Sequence, residues 1–176
     1  VQVMDGARLS YADESFDLIA ASDVLEHISS ADAALREWFR VLASGSKLIV
    51  FVPAFQCLWS SHDVANHHQR RYSAGELRRS LREAGFRVER LSYWNGLLTL
   101  PGIAFNGLKR LFPTSTRSRA TGGLVQPFKP INELLFQTIS LENWALRYID
   151  LPFGTSVFVV DSKVVPLGSA LHPRGA

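Results

Sequence analysis

The stretch Ser15-Phe16-Asp17-Leu18-Ile19-Ala20-Ala21-Ser22-Asp23-Val24-Leu25-Glu26-His27-Ile28 decides the fold. Phe16 to Ala21 is an almost unbroken apolar run, the pattern of a strand covered on both faces of a parallel sheet. Asp23 falls at the carboxyl end of that predicted strand, where open α/β sheets hold their ligands. Glu26 and His27 follow at the approach to a helix.

Downstream, Ser29 or Ser30 can cap that helix and Asp32 favours its positive end. Leu35, Trp38, Phe39 and Leu42 recur at helical spacing, and Gly45 stands where a left-handed stop is expected. Lys47 to Val52 predicts a central strand ended by Pro53. Residues 54–72 are expected as a functional loop, carrying Trp59, His62, Asp63, His67, His68, Arg70, Arg71 and Tyr72. Ser73-Ala74-Gly75-Glu76 is a capping box opening a helix with core positions Leu77, Leu81 and Ala84, stopped by Gly85. Phe86 to Trp94 predicts a strand whose alternation slips once near Glu89.

The flanks are less regular. Val1 to Met4 are expected to end a strand, followed by an Asp5-Gly6-Ala7 turn and a polar connection anchored by Leu9 and Tyr11. Residues 97–112 are apolar and broken by Pro101 and Gly102, and 114–123 form a polar, basic linker. Pro130 to Tyr148 predicts a helix with Leu134, Leu135, Thr138, Leu141, Trp144, Ala145 and Tyr148 on one side. Thr155 to Val160 predicts a last strand. The expected organisation is therefore one α/β domain over residues 1–163, with a 97–130 insertion and a 164–176 tail.

Composition narrows the function classes. The 176 residues are 47 % apolar and 20 % charged, which predicts a globular domain with a real core. The net charge is only +3 and there is no long basic run, so no nucleic-acid partner is expected. The single cysteine, Cys57, excludes an internal disulfide and fits a reducing, cytoplasmic compartment. No apolar run is long enough for a membrane span.

The motifs resemble those of class I S-adenosylmethionine (SAM)-dependent methyltransferases. Phe16-Asp17-x-Ile19 with Asp23-Val24-Leu25-Glu26-His27 is similar to the family's fourth strand, and Asp5-Gly6-Ala7 is similar to its preceding acid-bearing turn. Arg40-Val41-Leu42 with Gly45-Ser46-Lys47-Leu48 resembles its "R-V-L-K-P-G-G", with Ala43-Ser44 replacing Lys-Pro. The resemblance implies a Rossmann-like fold, a mainly parallel sheet with helices on both faces, and SAM as cofactor. It also implies that the first strands are lacking. The family's sheet order is 3-2-1-4-5-7-6, and its glycine-rich turn has no counterpart, since no two glycines here are spaced G-x-G. The chain is therefore expected to be an N-terminally truncated piece that binds SAM weakly alone, with the Asp17 strand left as an apolar edge.

The resemblance implies a cofactor site of Asp5, Gly6, Ala7, Asp23 and Val24, with Asp5 facing adenine. The residues alone also allow Asp5 to close an Asx-turn and Asp23 to cap a helix. His27 is the candidate base, since neutral imidazole accepts a proton near neutral pH; the alternative is a partly buried polar residue. In the 54–72 loop, His67, Arg71 and Tyr72 are expected to contact the acceptor, with Arg71 offering a fork to an anion. The competing interpretations are loop packing by Tyr72 and Trp59, or a divalent metal on His62, Asp63 and His67 or His68. No metal is expected, because the spacing matches no closed zinc pattern. Residues 97–112 are expected as a lid, as core packing, or as a peripheral membrane contact near a lipid-like acceptor.

The expected function is methyl transfer from SAM to a small or lipid-like acceptor. The alternative is a non-catalytic α/β module that docks on a membrane surface or protein partner. A nicotinamide-dependent dehydrogenase is disfavoured, because its glycine fingerprint is absent.

Overall fold

The computed structural model describes residues 1–99 and 128–164. The expected 97–130 insertion beyond Thr99, the 114–123 linker and the tail after Val164 lie outside the described residues. The elements are β1 (Phe16–Ser22), α1 (Ala31–Val41), β2 (Leu42–Pro53), α2 (Ser61–Ala65), α3 (Ala74–Glu83), β3 (Phe86–Trp94), α4 (Lys129–Ala145) and β4 (Ser156–Lys163). A short 3-10 turn, Leu25–His27, joins β1 to α1.

The four strands form one sheet in the order β1-β2-β4-β3. β1 pairs with β2 in parallel, and β4 inserts antiparallel between β2 and β3. Three strands thus run one way and β4 runs against them, as the last four strands of the order 4-5-7-6 require. The crossovers β1–α1–β2 and β2–α3–β3 follow from the parallel direction, which short hairpins cannot connect.

Period-two alternation divides the sheet into two faces. Leu48, Val50, Val52, Val157 and Val159 are fully buried, together with Leu35, Leu77 and Leu81 from α1 and α3. Each such side chain contributes about 1.5–3 kcal/mol by leaving water. The opposite face carries Leu18, Ala20, Ile49, Phe51 and Phe158. The C-terminal part of α4 reaches this face at its β3 edge: Trp94 donates to Asn143, and Arg90 lies over the Phe158 ring while donating to the Leu146 carbonyl. Glu142 of α4 accepts from the Gly96 and Leu97 amides.

Several expectations need correction. β1 is covered on one face only, since it is an edge strand and Leu18 is 54 % exposed. Val1 to Met4 join no strand, because no described strand lies beside them. Gly45 does not stop α1: the helix ends at Val41 and β2 starts at Leu42. Gly45 instead takes φ +83° in an irregular stretch where Leu42 pairs with Phe16 and Lys47 already pairs with Leu18. The extra residues need a positive φ, which glycine adopts without a Cβ clash. The helix predicted to reach Tyr148 ends at Ala145; Leu134, Leu141 and Trp144 on its apolar side and Tyr148 beyond it are exposed, and only Glu142 is buried within the helix. No described element covers that side. Residues 54–72 are partly helical, and the last strand runs past the expected Val160 to Lys163, whose ammonium donates to the Leu42 carbonyl.

Other details match. Ser73 and Glu76 form the reciprocal capping box of α3, and Gly85 follows that helix at φ +102°. The slip near Glu89 is a register shift between Val88 and Arg90.

Asp161 lies between Leu48 and Val88 on the helix-covered face, fully buried, with neither oxygen hydrogen-bonded by a described residue. Burial pushes its carboxyl up to about 7, and the Glu89 charge adds to the shift. An unfolded aspartate titrates near ~3.9. The folded value is the higher one, so stability is full below the unfolded value and is lost as pH rises through about 7. Asp161→Asn is therefore expected to raise the melting temperature at pH 8 and to raise it much less at pH 5. Equal shifts at both pH values would contradict the assignment.

Candidate active site

The site lies at the carboxyl ends of β1 and β2. β1 ends where the Asp23 amide donates to the Phe51 carbonyl at 3.0 Å. Asp23 has φ +52°, a left-handed conformation that aspartate tolerates better than most residues. Its carboxylate accepts from Ser22 Oγ at 3.1 Å and makes no helix cap, since Val24 occupies the cap position of the 3-10 turn. The reversed chain then puts Leu25 and Glu26 inside and His27 outside.

Glu26 is fully buried, and neither carboxylate oxygen has a hydrogen-bond partner among the described residues. Burial pushes its carboxyl up to about 6, and the nearby Asp23 charge adds to this. His27 is exposed and meets the edge of the His68 ring, with centroids 4.7 Å apart. One donor atom from each of Glu26, His27 and His68 lies within 4.8 Å of the other two.

His68 is held there by the 54–72 segment, which folds around Asp63. Ser60 and Asp63 form a capping box on α2. Asp63, with a side chain 0 % exposed, accepts from Arg71 Nε at 2.8 Å and Nη2 at 3.0 Å. It also pairs with His68 Nδ1 at 2.9 Å and accepts from the Ser60 amide at 2.8 Å. Burial alone would raise the Asp63 carboxyl, but the Arg71, Ser60 and His68 hydrogen bonds outweigh it and hold the group well below the usual carboxylate range. The Gln69 amide donates to the Glu26 carbonyl at 2.7 Å and fastens the segment to the 3-10 turn.

The expected residues separate into those at this site and those beside it. Arg71 has no free fork, because its guanidinium is committed to Asp63 and to the Ala54 carbonyl. Tyr72 is 1 % exposed, with its hydroxyl toward the Leu25 carbonyl, and burial pushes its phenol up to about 12. His67 is exposed at φ +57° and its ring is not in the cluster; His68 is. Trp59, a packing candidate, is half-buried. The Ser60-x-x-Asp63 spacing is a capping signal that sequence reasoning passed over.

The Asp5 turn sits at a second place. Asp5 Oδ1 accepts from the Ala7 amide at 2.9 Å, the Asx-turn form. The Gly6 carbonyl accepts from Trp38 Nε1 at 2.9 Å, which seats the turn on α1. A Cβ at Gly6 would come within 2.8 Å of Ile28 Cδ1, so the turn leaves little room for a side chain. Gly6 and Val24 line one apolar cavity of 310 Å³ with Leu18, Ala20, Trp38 and Tyr11.

Removing Asp63 would leave the largely buried Arg71 unpaired and His68 unheld. Breaking a buried pair costs about 3–5 kcal/mol. Asp63→Ala is therefore expected to lower stability by that order in denaturant unfolding. A loss below about 1 kcal/mol, the worth of an exposed pair, would contradict the network's structural role.

Comparisons with known proteins bear on the fold. Residues 1–50 match the family model described as a methyltransferase domain. No curated protein matches the chain in sequence. Among solved structures, the chain is similar to the [4+2]-cyclase SpnF, at 22 % identity and TM-score 0.54, over 94 % of this chain and 56 % of that one. It is similar to an S-adenosylmethionine-dependent methyltransferase of Mesorhizobium loti at 13 % identity and TM-score 0.52, over 90 % of this chain and 67 % of that one. It is also similar to phosphoethanolamine N-methyltransferase 2 of Haemonchus contortus in complex with S-adenosyl-L-methionine, at 14 % identity and TM-score 0.50, over 92 % of this chain and 36 % of that one. The chain thus spans between about a third and two thirds of these proteins. Its first 50 residues carry the methyltransferase-domain signature, and its described residues have the class I methyltransferase fold.

Proposed function

We propose that the intact protein is a SAM-dependent methyltransferase acting on a small or lipid-like acceptor. The observation that carries this proposal is the methyltransferase-domain match over residues 1–50, the segment that holds Asp5, Gly6, Asp23, Glu26 and His27. The residues present fit part of the cofactor. The 310 Å³ cavity offers Gly6 and Val24 as an apolar wall for a flat ring, with Asp5 and Asp23 next to them in the chain. The sequence offers no G-x-G turn for the other end of the cofactor.

When bound, SAM supplies an electrophilic methyl group whose carbon–sulfur bond breaks as the acceptor attacks, with the electron pair passing to sulfur. This chain's part is to position the acceptor, exclude water and manage the acceptor's proton. Asp23 bounds the cleft with a negative charge. His27 is the exposed member of the cluster and contacts the reacting group of the acceptor, where a neutral imidazole takes the proton. Arg71 and Tyr72 act behind this contact, by holding Asp63 and Leu25 in place.

One observation favours the docking alternative. α4 exposes Ile131, Leu134, Phe136, Leu141 and Trp144, with Tyr148 in the turn after it, an apolar surface suited to a partner or a membrane interface. Among the described residues, no helix is long and apolar enough to cross a membrane.

Calorimetric titration with SAM tests the proposal, on this chain and on a version extended upstream. The expected outcome is binding by the extended version alone, weakened by Asp5→Ala. If an extended version with a glycine-rich turn ignores SAM and this chain floats with liposomes, the docking alternative replaces methyl transfer.

A further inference from the structure

Glu26 poses an unsolved electrostatic problem. A carboxylate removed from water is costly unless it is paired or coordinates a metal. Glu26 is fully buried, and neither oxygen has a hydrogen-bond partner in another described residue; only its own amide and the nearby His68 offset the burial. The imidazoles of His27 and His68 lie close to it, and neither donates to its oxygens.

We propose that Glu26, His27 and His68 form a binding site for a divalent transition-metal ion. Two imidazole nitrogens and one carboxylate oxygen are the donor set of open zinc and non-haem iron sites, with positions left for a further ligand. Magnesium and calcium, which require oxygen ligands, fit this set poorly. The donor atoms lie within 4.8 Å of one another. Metal bonds of 2.0–2.2 Å require donors about 3–3.5 Å apart.

The surroundings are those of a ligand-orienting shell. Metal-ligating histidines commonly give their second ring nitrogen to a carboxylate. His68 does so: Nδ1 faces Asp63 Oδ1 at 2.9 Å, which leaves Nε2 for the metal. Asp63 is in turn locked by Arg71 and Ser60, and the Gln69–Glu26 backbone bond holds the two halves of the site together. This site differs from the one the sequence suggested as a competing interpretation, which used His62 with Asp63 and His67 or His68. Here Asp63 orients a ligand and does not ligate.

Metal binding itself is independent of the methyltransferase proposal. Its catalytic consequence rests on that proposal. An acceptor hydroxyl in an open coordination position would be acidified by the metal and lose its proton to water. As a ligand, His27 would hold the ion in place of taking the acceptor's proton itself.

The test uses the purified chain without SAM or acceptor. Zinc affinity is measured by competition with a chromophoric chelator, and cobalt binding by its visible absorption bands. One ion per chain is expected, with His27→Ala and His68→Ala each weakening affinity at least tenfold and changing the cobalt spectrum. His27 is exposed, so that variant tests the site without disturbing the core. His62→Ala and His67→Ala are expected to leave affinity unchanged. The proposal is overturned if the chain competes for no zinc, or if His27→Ala binds as tightly as the parent chain. It is equally overturned if His62→Ala or His67→Ala removes binding while His27→Ala does not. A chain that binds zinc yet never binds SAM in extended form retains the metal site and loses the catalytic consequence.

Discussion

The buried Asp63–Arg71 pair is the interaction on which the carboxyl end of the sheet depends. A charge at 0 % side-chain exposure persists only with several strong donors, and Asp63 has them from Arg71, the Ser60 amide and His68. Meeting that demand dictates the path of the whole 54–72 segment. Arg71 also reaches the Ala54 carbonyl at the end of β2, so the segment closes on itself as a belt. One consequence is the presentation of His68 to His27. A second is that Tyr72 is driven inward against Leu25, which fixes the 3-10 turn carrying Glu26. Site geometry and loop stability are thus the same set of hydrogen bonds.

The sheet itself is asymmetric. Its helix-covered face is a continuous core from α1 through β2 and β4 to α3, while the face carrying Leu18, Ala20, Ile49 and Phe51 is covered by α4 only near β3. β1, with one strand neighbour, leaves half of its backbone groups unpaired by the sheet. An apolar edge strand next to a half-covered face is costly for an isolated domain. Both features fall where the class I methyltransferase order sets further strands. The similar solved structures are also longer than this chain, which spans 56 % of SpnF.

Fold and chemistry separate here. The same architecture is found in a methyltransferase of Mesorhizobium loti and in a [4+2]-cyclase. An α/β sheet offers a cleft at the carboxyl ends of its strands, and the residues set in that cleft decide what happens there. At that end of this sheet lie Asp23, Glu26, His27 and His68. Glu26 stands apart among them: it is buried without a hydrogen-bond partner in another described residue, and the Asp23 charge lies near it.

By itself, the sequence determined the alternation of elements, because periodicity and capping are local. The Phe16–Ala21 run, the Ser73–Glu76 box, Gly85 and the slip near Glu89 each report a constraint acting within a few residues, and each matches the structure. The same locality explains the failures. Gly45 reads as a helix stop or as a strand irregularity in any local window, and pairing with β1 chose the second. The stripe on α4 is apolar whether or not anything covers it. Arg71 and Tyr72 were recognisable as important residues of their segment, but whether they face a ligand or hold the segment depends on Asp63 and Leu25, and the contact to Leu25 spans 47 positions. The choice of His68 over its neighbour His67 was likewise made by tertiary structure: a one-residue difference in a turn at positive φ turns one ring toward Asp63 and the other toward water.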